Sequence, residues 1–194
     1  MKLLYTLIIL FAFSFSENID FYDNMGRAYF EKGEYKKAVE SYEKIIELIP
    51  KDSIMTSDVY YRMGDCYIHL KQYENAIHFT EMGIGLNPES YAYYNIGFSY
   101  RHLAQYHKLP FYNKAIENFE KAIELNPEYA KAYHTMGLAY GQWGFDDKAV
   151  ENIRKSAKLG YEESQNWLKE YEKRFQRRVM IFLISIGGIL LWAL

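Results

Sequence analysis

A ladder of glycine, alanine and proline residues recurs four times along this chain. From the alanine to the proline the spacing is 12 residues each time, with Tyr161 in the place of the last proline. From the glycine to the alanine the spacing is 12 residues in three sets and 18 in the third. Self-similarity at such a period predicts stacked units that cannot bury their apolar faces alone. The sets are Gly26–Ala38–Pro50, Gly64–Ala76–Pro88, Gly97–Ala115–Pro127 and Gly137–Ala149–Tyr161.

Each glycine of the ladder lies within a frame of aromatic and aliphatic residues at positions i, i+3 and i+7. Around Gly26 these are Tyr22, Met25 and Tyr29, and the spacing is one stripe of an α-helix. Glycine inside a helix costs about 1 kcal/mol relative to alanine. Its repeated use therefore predicts that a second helix, carrying the alanine of the ladder, approaches closely. The proline then predicts the end of that second helix, because a mid-helix proline clashes and loses a hydrogen bond.

These frames resemble the tetratricopeptide repeat, a 34-residue helix pair with an aromatic, Leu-Gly, Tyr, Ala, aromatic and Pro signature. The resemblance implies an all-α fold, a right-handed superhelical array of antiparallel helix pairs. Thr80 and Ile153 depart from it, since each replaces an aromatic residue. Residues 105–111 lengthen the hairpin of the third repeat, which is consistent with tolerated drift or with a functional loop. The resemblance covers residues 19–163, as repeats 19–52, 57–89, 90–129 and 130–163.

Residues 1–16 form an apolar run with a single early cation, Lys2, and end in Ser14-Phe15-Ser16. This pattern predicts a secretory signal peptide, or an N-terminal hydrophobic segment if it is not cleaved. The run is too short for an ordinary membrane-spanning helix. A cleaved signal peptide would place the repeats outside the cytoplasm.

The other end of the chain carries a second hydrophobic segment. Trp167, Tyr171 and Phe175 recur every four residues within 164–178, which predicts a capping helix at the end of the array. Residues 179–194 carry no charge and would span roughly 24 Å as a helix. They predict a short transmembrane anchor, and the alternative is a hydrophobic helix packed onto the array. The membrane-flanking cations are Lys173, Arg174, Arg177 and Arg178.

The two ends predict different membrane topologies. A signal peptide predicts export, whereas basic residues beside a membrane segment favour the cytoplasmic side. We expect a membrane-anchored protein with its repeats on the exported, periplasmic or extracytoplasmic side. The alternative is a tail-anchored protein with its repeats on the cytosolic face.

The composition and motifs argue against catalysis. The formal net charge is −2, from 23 basic and 25 acidic residues, so the composition shows no excess of positive charge typical of nucleic-acid-binding proteins. The five histidines lack the i, i+4 pairing typical of metal sites, and we expect them at surface or capping positions. Cys66 occupies a small-residue slot of the frame and is expected to be a packing residue. We therefore expect no enzymatic activity, no cofactor and no metal.

The resemblance also implies a binding surface, because the first helices of such repeats line a concave groove that holds a peptide. When the groove positions of the family are placed on this sequence, the groove is acidic in the first repeats, aromatic in the centre and weakly basic in the last repeat. An apolar anchor would rest on Tyr61, Tyr94 and Phe98, with the basic end of the peptide toward the acidic repeats. Chaperone-binding members use a Lys, Asn and Arg pattern that is matched here only at Asn95 and Lys131, so a chaperone tail is not expected. The predicted groove residues are Asp23, Arg27, Asp58, Tyr61, Asp65, Tyr91, Tyr94, Phe98, Arg101, Lys131 and His134.

The expected function is a non-catalytic scaffold or adaptor that binds a peptide segment of a partner protein at a membrane surface. An envelope assembly, secretion or biogenesis complex is the expected setting. One alternative is a cytosol-facing, tail-anchored receptor. Another is a self-assembling scaffold, in which open repeat ends stack into a homo-oligomer. Protein and membrane are thus the expected partners, and nucleic acid is not.

Overall fold

The computed structural model describes the backbone of residues 2–50, 53–107 and 109–192, and the side chains of residues 17–50, 53–105 and 110–185. Within these ranges the chain forms nine α-helices joined by short turns. They are α1 (Lys2–Glu31), α2 (Tyr35–Leu48), α3 (Ile54–His69), α4 (Tyr73–Ile84), α5 (Ser90–His107), α6 (Leu109–Leu125), α7 (Ala130–Trp143), α8 (Asp146–Lys158) and α9 (Glu162–Trp192).

The chain divides into two compact units, unit 1 (Met1–Asn126) and unit 2 (Pro127–Leu194). In unit 1, α1 packs on α2, α3 on α4 and α5 on α6, and each pair packs on the next. In unit 2, α7 packs on α8, and α8 packs on α9. Pro50, Pro88 and Pro127 each follow the end of a second helix, as predicted. The predicted all-α architecture of helix pairs is confirmed.

The glycines of the ladder lie where the two helices of a pair cross. A Cβ atom on Gly97 would stand 2.8 Å from Cδ1 of Phe119, and one on Gly137 would stand 2.7 Å from Cγ1 of Ile153. A Cβ on Gly26 would stand 2.5 Å from Cε1 of Tyr42. The predicted reason for the repeated glycine, close approach of the second helix, is therefore confirmed.

The turn between the two helices of a pair uses a left-handed backbone. Gly33 has a φ of 76° and Gly144 a φ of 97°, each seven residues after its ladder glycine. Lys71 stands at the same register with a φ of 58°. A residue with a side chain is disfavoured in this region. The turn at Lys71 therefore carries a conformational cost that the turns at Gly33 and Gly144 avoid.

The extra residues of the third repeat lengthen helices. α5 has 18 residues and α6 has 17, against 14 in α7 and 13 in α8. Pro110 is the second residue of α6, where its missing N–H has no helical partner to lose. The predicted extension of this hairpin therefore lies in α5 and α6 wherever the structure describes it, and Lys108 between them lies outside the described residues.

Each hydrophobic end is continuous with a neighbouring helical segment. α1 joins the predicted N-terminal segment to the first repeat, and α9 joins the predicted cap to the predicted anchor. Among the helices of the described residues, none combines the length and the apolar character needed to cross a membrane. The side chains of 1–16 in the predicted signal segment, and of 186–194 in the predicted anchor, lie outside the described residues.

Cys66 lies in the core of unit 1 with no exposed surface. It packs in a cluster with Ala38, Tyr42 and Met63. Burial raises the pKa of its thiol to about 12, and a thiol must ionise to react as a nucleophile. The packing role expected for Cys66 is confirmed.

Candidate functional site

Two of the predicted acidic residues of unit 1, Asp23 and Asp65, are engaged within the protein. Asp23 on α1 accepts the Nε–H of Arg27 through Oδ2 at 2.9 Å. Its Oδ1 lies 3.6 Å from Nη1 of Arg62 on α3. One carboxylate therefore holds two guanidinium groups and links the first helices of two neighbouring pairs. Arg62 was missed by the groove prediction, which used family positions alone.

Asp65 on α3 forms the equivalent link to α5. The hydroxyl of Tyr91 donates to its Oδ2, and Nδ2 of Asn95 donates to its Oδ1 at 2.7 Å. Asn95 is buried, with 5% of its surface exposed. The structure thus brings the predicted residues Asp65 and Tyr91 together, as a bridge between neighbouring pairs. Asp58, the remaining acidic position of the groove prediction, is exposed on α3.

A cavity lies between α1, α2 and α3, and we call it the arginine cavity. Its volume is about 180 Å³. Tyr42 is 2% exposed and packs over Gly26, since no side chain at that glycine stands in its way. Burial raises the pKa of Tyr42, and a hydrogen bond with Arg62 acts in the opposite direction. The cavity is lined by Arg27, Phe30, Glu31, Tyr42, Arg62 and Asp65.

The predicted aromatic centre of the groove is largely buried. Tyr61 is 4% exposed, and its hydroxyl donates to the carbonyl oxygen of Asn87. Tyr94 is 5% exposed, and its ring centroid lies 5.9 Å from that of Phe119. Only Phe98 of the three predicted anchor residues is partly exposed. The expectation that Tyr61 and Tyr94 form an open aromatic surface is wrong, because the neighbouring helices cover both rings.

Arg101, which is buried, and His102, which is half-buried, lie beside Phe98. Burial lowers the pKa of Arg101, which is 8% exposed and stacks on the Phe98 ring at 5.4 Å. The His102 ring is parallel to that of Tyr73, with centroids 4.8 Å apart, and its Nε2 lies 3.1 Å from Nη2 of Arg101. Burial, together with the Arg101 charge, lowers the pKa of His102 to about 4. The expected exposed location of Arg101 in the groove is therefore wrong.

The stack on His102 recurs one pair earlier. His69 stacks on Tyr35 with ring centroids 4.6 Å apart. Both histidines follow their ladder glycine by five residues, and both tyrosines precede their ladder alanine by three. The sequence predicted surface or capping histidines, and this shared register was the signal that could have identified the stacks.

The predicted groove residues of unit 2 lie on α7. Lys131 is exposed. Nδ1 of His134 lies 2.7 Å from Oγ of Ser164 on α9. Ser164 in turn donates to Oγ of Ser156 on α8 at 2.7 Å. His134 thus takes part in the junction that fixes the start of α9.

A cavity of about 360 Å³, which we call the apolar trough, lies beside these residues between α7, α8 and α9. Gly137, Leu138 and Gly141 lie on its α7 side. Its α9 wall is a parallel stack of Trp167 and Tyr171 with centroids 5.1 Å apart. The lining residues are Gly137, Leu138, Gly141, Gln142, Asp146, Ala149, Val150, Ile153, Trp167 and Tyr171.

The register of α9 explains why this wall stays accessible. Trp167 lies one full repeat period after Tyr133, so α9 repeats the aromatic position of a first helix. Tyr171 lies the same period after Gly137 and stands where the other first helices have glycine. A second helix could not approach α9 there as α8 approaches α7, because the Tyr171 ring occupies the crossing point. Tyr171 is 36% exposed.

The remaining predicted positions are exposed on α9. They are the cations Lys173, Arg174, Arg177 and Arg178. Lys173 pairs with Glu170 of the same helix at 2.8 Å. In the described part of the chain, His, Cys, Asp and Glu residues do not gather in groups of three that could hold a metal ion.

Models of one repeat family match most of the helix pairs. Tetratricopeptide-repeat models match residues 22–52, 57–90 and 130–159, and a related repeat model matches 105–144. The BBSome complex member BBS4 of Bos taurus is 30% identical over 142 residues, 73% of this chain and 25% of its own. Serine/threonine-protein phosphatase 5 of Homo sapiens is 33% identical over 58% of this chain and 23% of its own. The chain thus spans about a quarter of the length of these relatives.

A solved structure has a similar fold. MamA from Desulfovibrio magneticus, from residue 41 to its end, is 28% identical to this chain with a TM-score of 0.64. The alignment covers 75% of this chain and 77% of that one. The ladder, the helix pairs and these matches agree, and the chain therefore belongs to the tetratricopeptide-repeat family, with its all-α fold.

Proposed function

We propose that this chain is a non-catalytic scaffold that binds a segment of a partner protein, with an apolar side chain of that segment in the apolar trough. The observation that carries the proposal is the trough itself. It is an open cavity of about 360 Å³ with aliphatic and aromatic walls on a repeat that otherwise buries such residues. The similarity to BBS4, named as a member of a complex, supports a role in protein assembly.

The chemistry of the trough suits a leucine, methionine or phenylalanine side chain. Leu138 and Val150 offer aliphatic contacts, and the Trp167–Tyr171 stack offers a flat aromatic face. Buried aromatic contacts dominate the energies of protein interfaces. Gln142 and Asp146 at the lining provide polar atoms that can orient the backbone of the bound segment. This site replaces the buried tyrosines of unit 1 as the apolar anchor.

Site-specific photo-crosslinking in the producing cells tests this proposal. A benzophenone amino acid at Leu138 is expected to give discrete adducts with a partner protein, which mass spectrometry identifies. The matched control is the same amino acid at Asn166, which is exposed on α9 and does not line the trough. Leu138→Asp should lower the recovery of that partner at least tenfold, since a carboxylate would be buried against the apolar anchor. Equal adducts from both positions would contradict the proposal.

We also propose that α9 attaches the repeats to a membrane, within an envelope assembly, secretion or biogenesis complex. The apolar residues from Val179 to Ile184 are 36% to 67% exposed all around the helix. After Glu172 the sequence has four cations and no acidic residue, a charge pattern that favours anionic lipid surfaces. The apolar character of residues 1–16 supports export of the repeats. A cytosol-facing receptor and a self-assembling scaffold remain the alternatives.

Membrane fractionation with protease treatment tests this location. The full chain is expected to stay with membranes at alkaline pH, and removal of residues 179–194 should release it. Protease added to spheroplasts should then digest the repeats. Protection of the repeats would favour the cytosolic face, whereas release of the full chain at alkaline pH would contradict the anchor.

A further inference from the structure

We infer that the arginine cavity of unit 1 is a subsite for a carboxylate side chain, aspartate or glutamate, on a bound protein segment. The inference rests on the proposed function, because it assumes that such a segment binds to the repeats. It reverses the charge predicted from the sequence. Four inner positions of the first two repeats are aspartates, and they predicted a basic ligand.

Two carboxylates beside the cavity, Asp23 and Asp65, are already paired within the protein. One carboxylate oxygen of Asp23 accepts a hydrogen bond from Arg27, and the other oxygen faces Arg62. One carboxylate oxygen of Asp65 accepts a hydrogen bond from the Tyr91 hydroxyl, and the other accepts one from the Asn95 side-chain amide. A lysine or arginine entering the cavity would compete with existing donors and would meet two like charges. A basic ligand is therefore disfavoured at this point of the surface.

The donors of the cavity exceed its acceptors. A guanidinium carries five N–H groups in a planar fork. Among the described residues, Arg27 contacts an acceptor only through its Nε, at Asp23. Arg62 contacts Asp23 at 3.6 Å and the hydroxyl of Tyr42. The remaining N–H groups match a carboxylate, which pairs with arginine through two parallel hydrogen bonds.

The volume of the cavity is sufficient for one side chain. Its volume of about 180 Å³ corresponds to roughly six water molecules. The Arg27 and Arg62 side chains are 52% and 35% exposed, so a ligand can reach both. Phe30 and Tyr42 form apolar walls, and a charge-assisted bond is stronger beside such walls than in open water. Glu31, the other acid of the lining, is exposed.

Peptide-library binding to the full chain tests the inference. The probes are acetylated, amidated nonapeptides of mixed alanine, leucine, serine and tyrosine with one central glutamate, and a matched library with glutamine instead. A lysine library tests the opposite charge. A glutamine library with a free terminal carboxylate separates a side-chain carboxylate from a chain end. Retained peptide is measured by mass spectrometry.

The glutamate library is expected to be retained at least fivefold more than the glutamine library. Arg62→Gln should reduce that ratio to about one, and Arg27→Gln, at a more exposed position, should reduce it as well. Lys36→Gln, an exposed change on α2, should leave it unchanged. Circular dichroism of each variant establishes that its helices are intact.

Each other result has a defined meaning. Equal retention of the glutamate and glutamine libraries, or preference for lysine, overturns the carboxylate subsite and leaves peptide binding standing. Equal retention of the free-carboxylate library overturns the assignment to a side chain. Retention of none of the libraries overturns the proposed peptide binding together with the subsite.

Discussion

Gly137→Ala is expected to lower the free energy of unfolding by about 1 kcal/mol, although alanine is the better helix former. The added Cβ would stand 2.7 Å from Cγ1 of Ile153 and 2.9 Å from the backbone oxygen of Ala149. A side-chain atom can rotate away, but the backbone oxygen moves only if α8 shifts. Overpacking of this kind costs about 1–3 kcal/mol, which on average exceeds the roughly 1 kcal/mol gained in helix propensity.

The control is Gly141→Ala, one turn further along the same helix. The nearest atom to its added Cβ is Cβ of Ala149 at 3.5 Å, an ordinary contact. This variant is expected to raise the free energy of unfolding by about 0.5–1 kcal/mol. Urea denaturation followed by circular dichroism measures both variants. If Gly137→Ala were as stable as Gly141→Ala, close helix packing would not be the reason for the ladder glycine.

Stability is expected to fall by about 2 kcal/mol between pH 7.5 and pH 5 through His102 alone. Burial and the neighbouring Arg101 and Lys71 charges lower the pKa of His102 to about 4, below the value of about 6.5 in an unfolded chain. The unfolded state therefore binds the proton first as the pH falls. The contribution is complete above pH 6.5 and is lost as the pH approaches 4. Protonation would also remove the Nε2 acceptor that faces Arg101.

His102→Gln isolates this contribution, because glutamine keeps an acceptor for Arg101 and does not titrate in this range. The difference in unfolding free energy between wild type and this variant should change by about 2 kcal/mol from pH 7.5 to 5. A constant difference for His102→Gln would mean that the ring titrates normally in the folded protein.

The inner surface illustrates how far the sequence could lead. Position in the repeat correctly placed Asp23, Arg27 and Asp65 on neighbouring first helices. It could not tell that Tyr61 is covered, because its burial depends on Gly83 of α4, whose missing side chain admits the ring. It also could not tell that Asp65 is occupied by Tyr91 and Asn95, since hydrogen-bond partners depend on the distance between helices.

The spacing of the repeats also did not predict the apolar trough, for a related reason. Trp167 and Tyr171 were recognised as a helical stripe and expected to close the array. Their register, with tyrosine in the glycine position, leaves a cavity in front of them. The periodicity of apolar residues predicts which face of a helix is apolar, but it does not predict whether a neighbouring helix packs against that face.

The Gly–Ala–Pro ladder by itself determined the helices, their pairing and the tetratricopeptide repeat, because spacing along a helix dictates which side chains share a face. It also explained each ladder glycine. Glycine at the same helical position in every repeat lowers helix stability each time, so the same close helix contact must recur to offset it. Only the tertiary structure decided which charges and rings remain available to a partner. Contacts across neighbouring helices engage Asp23 and Asp65, and burial covers Tyr61 and Tyr94. Arg27, Arg62 and the apolar trough remain available. Those properties depend on distances between elements, which periodicity in one chain does not encode.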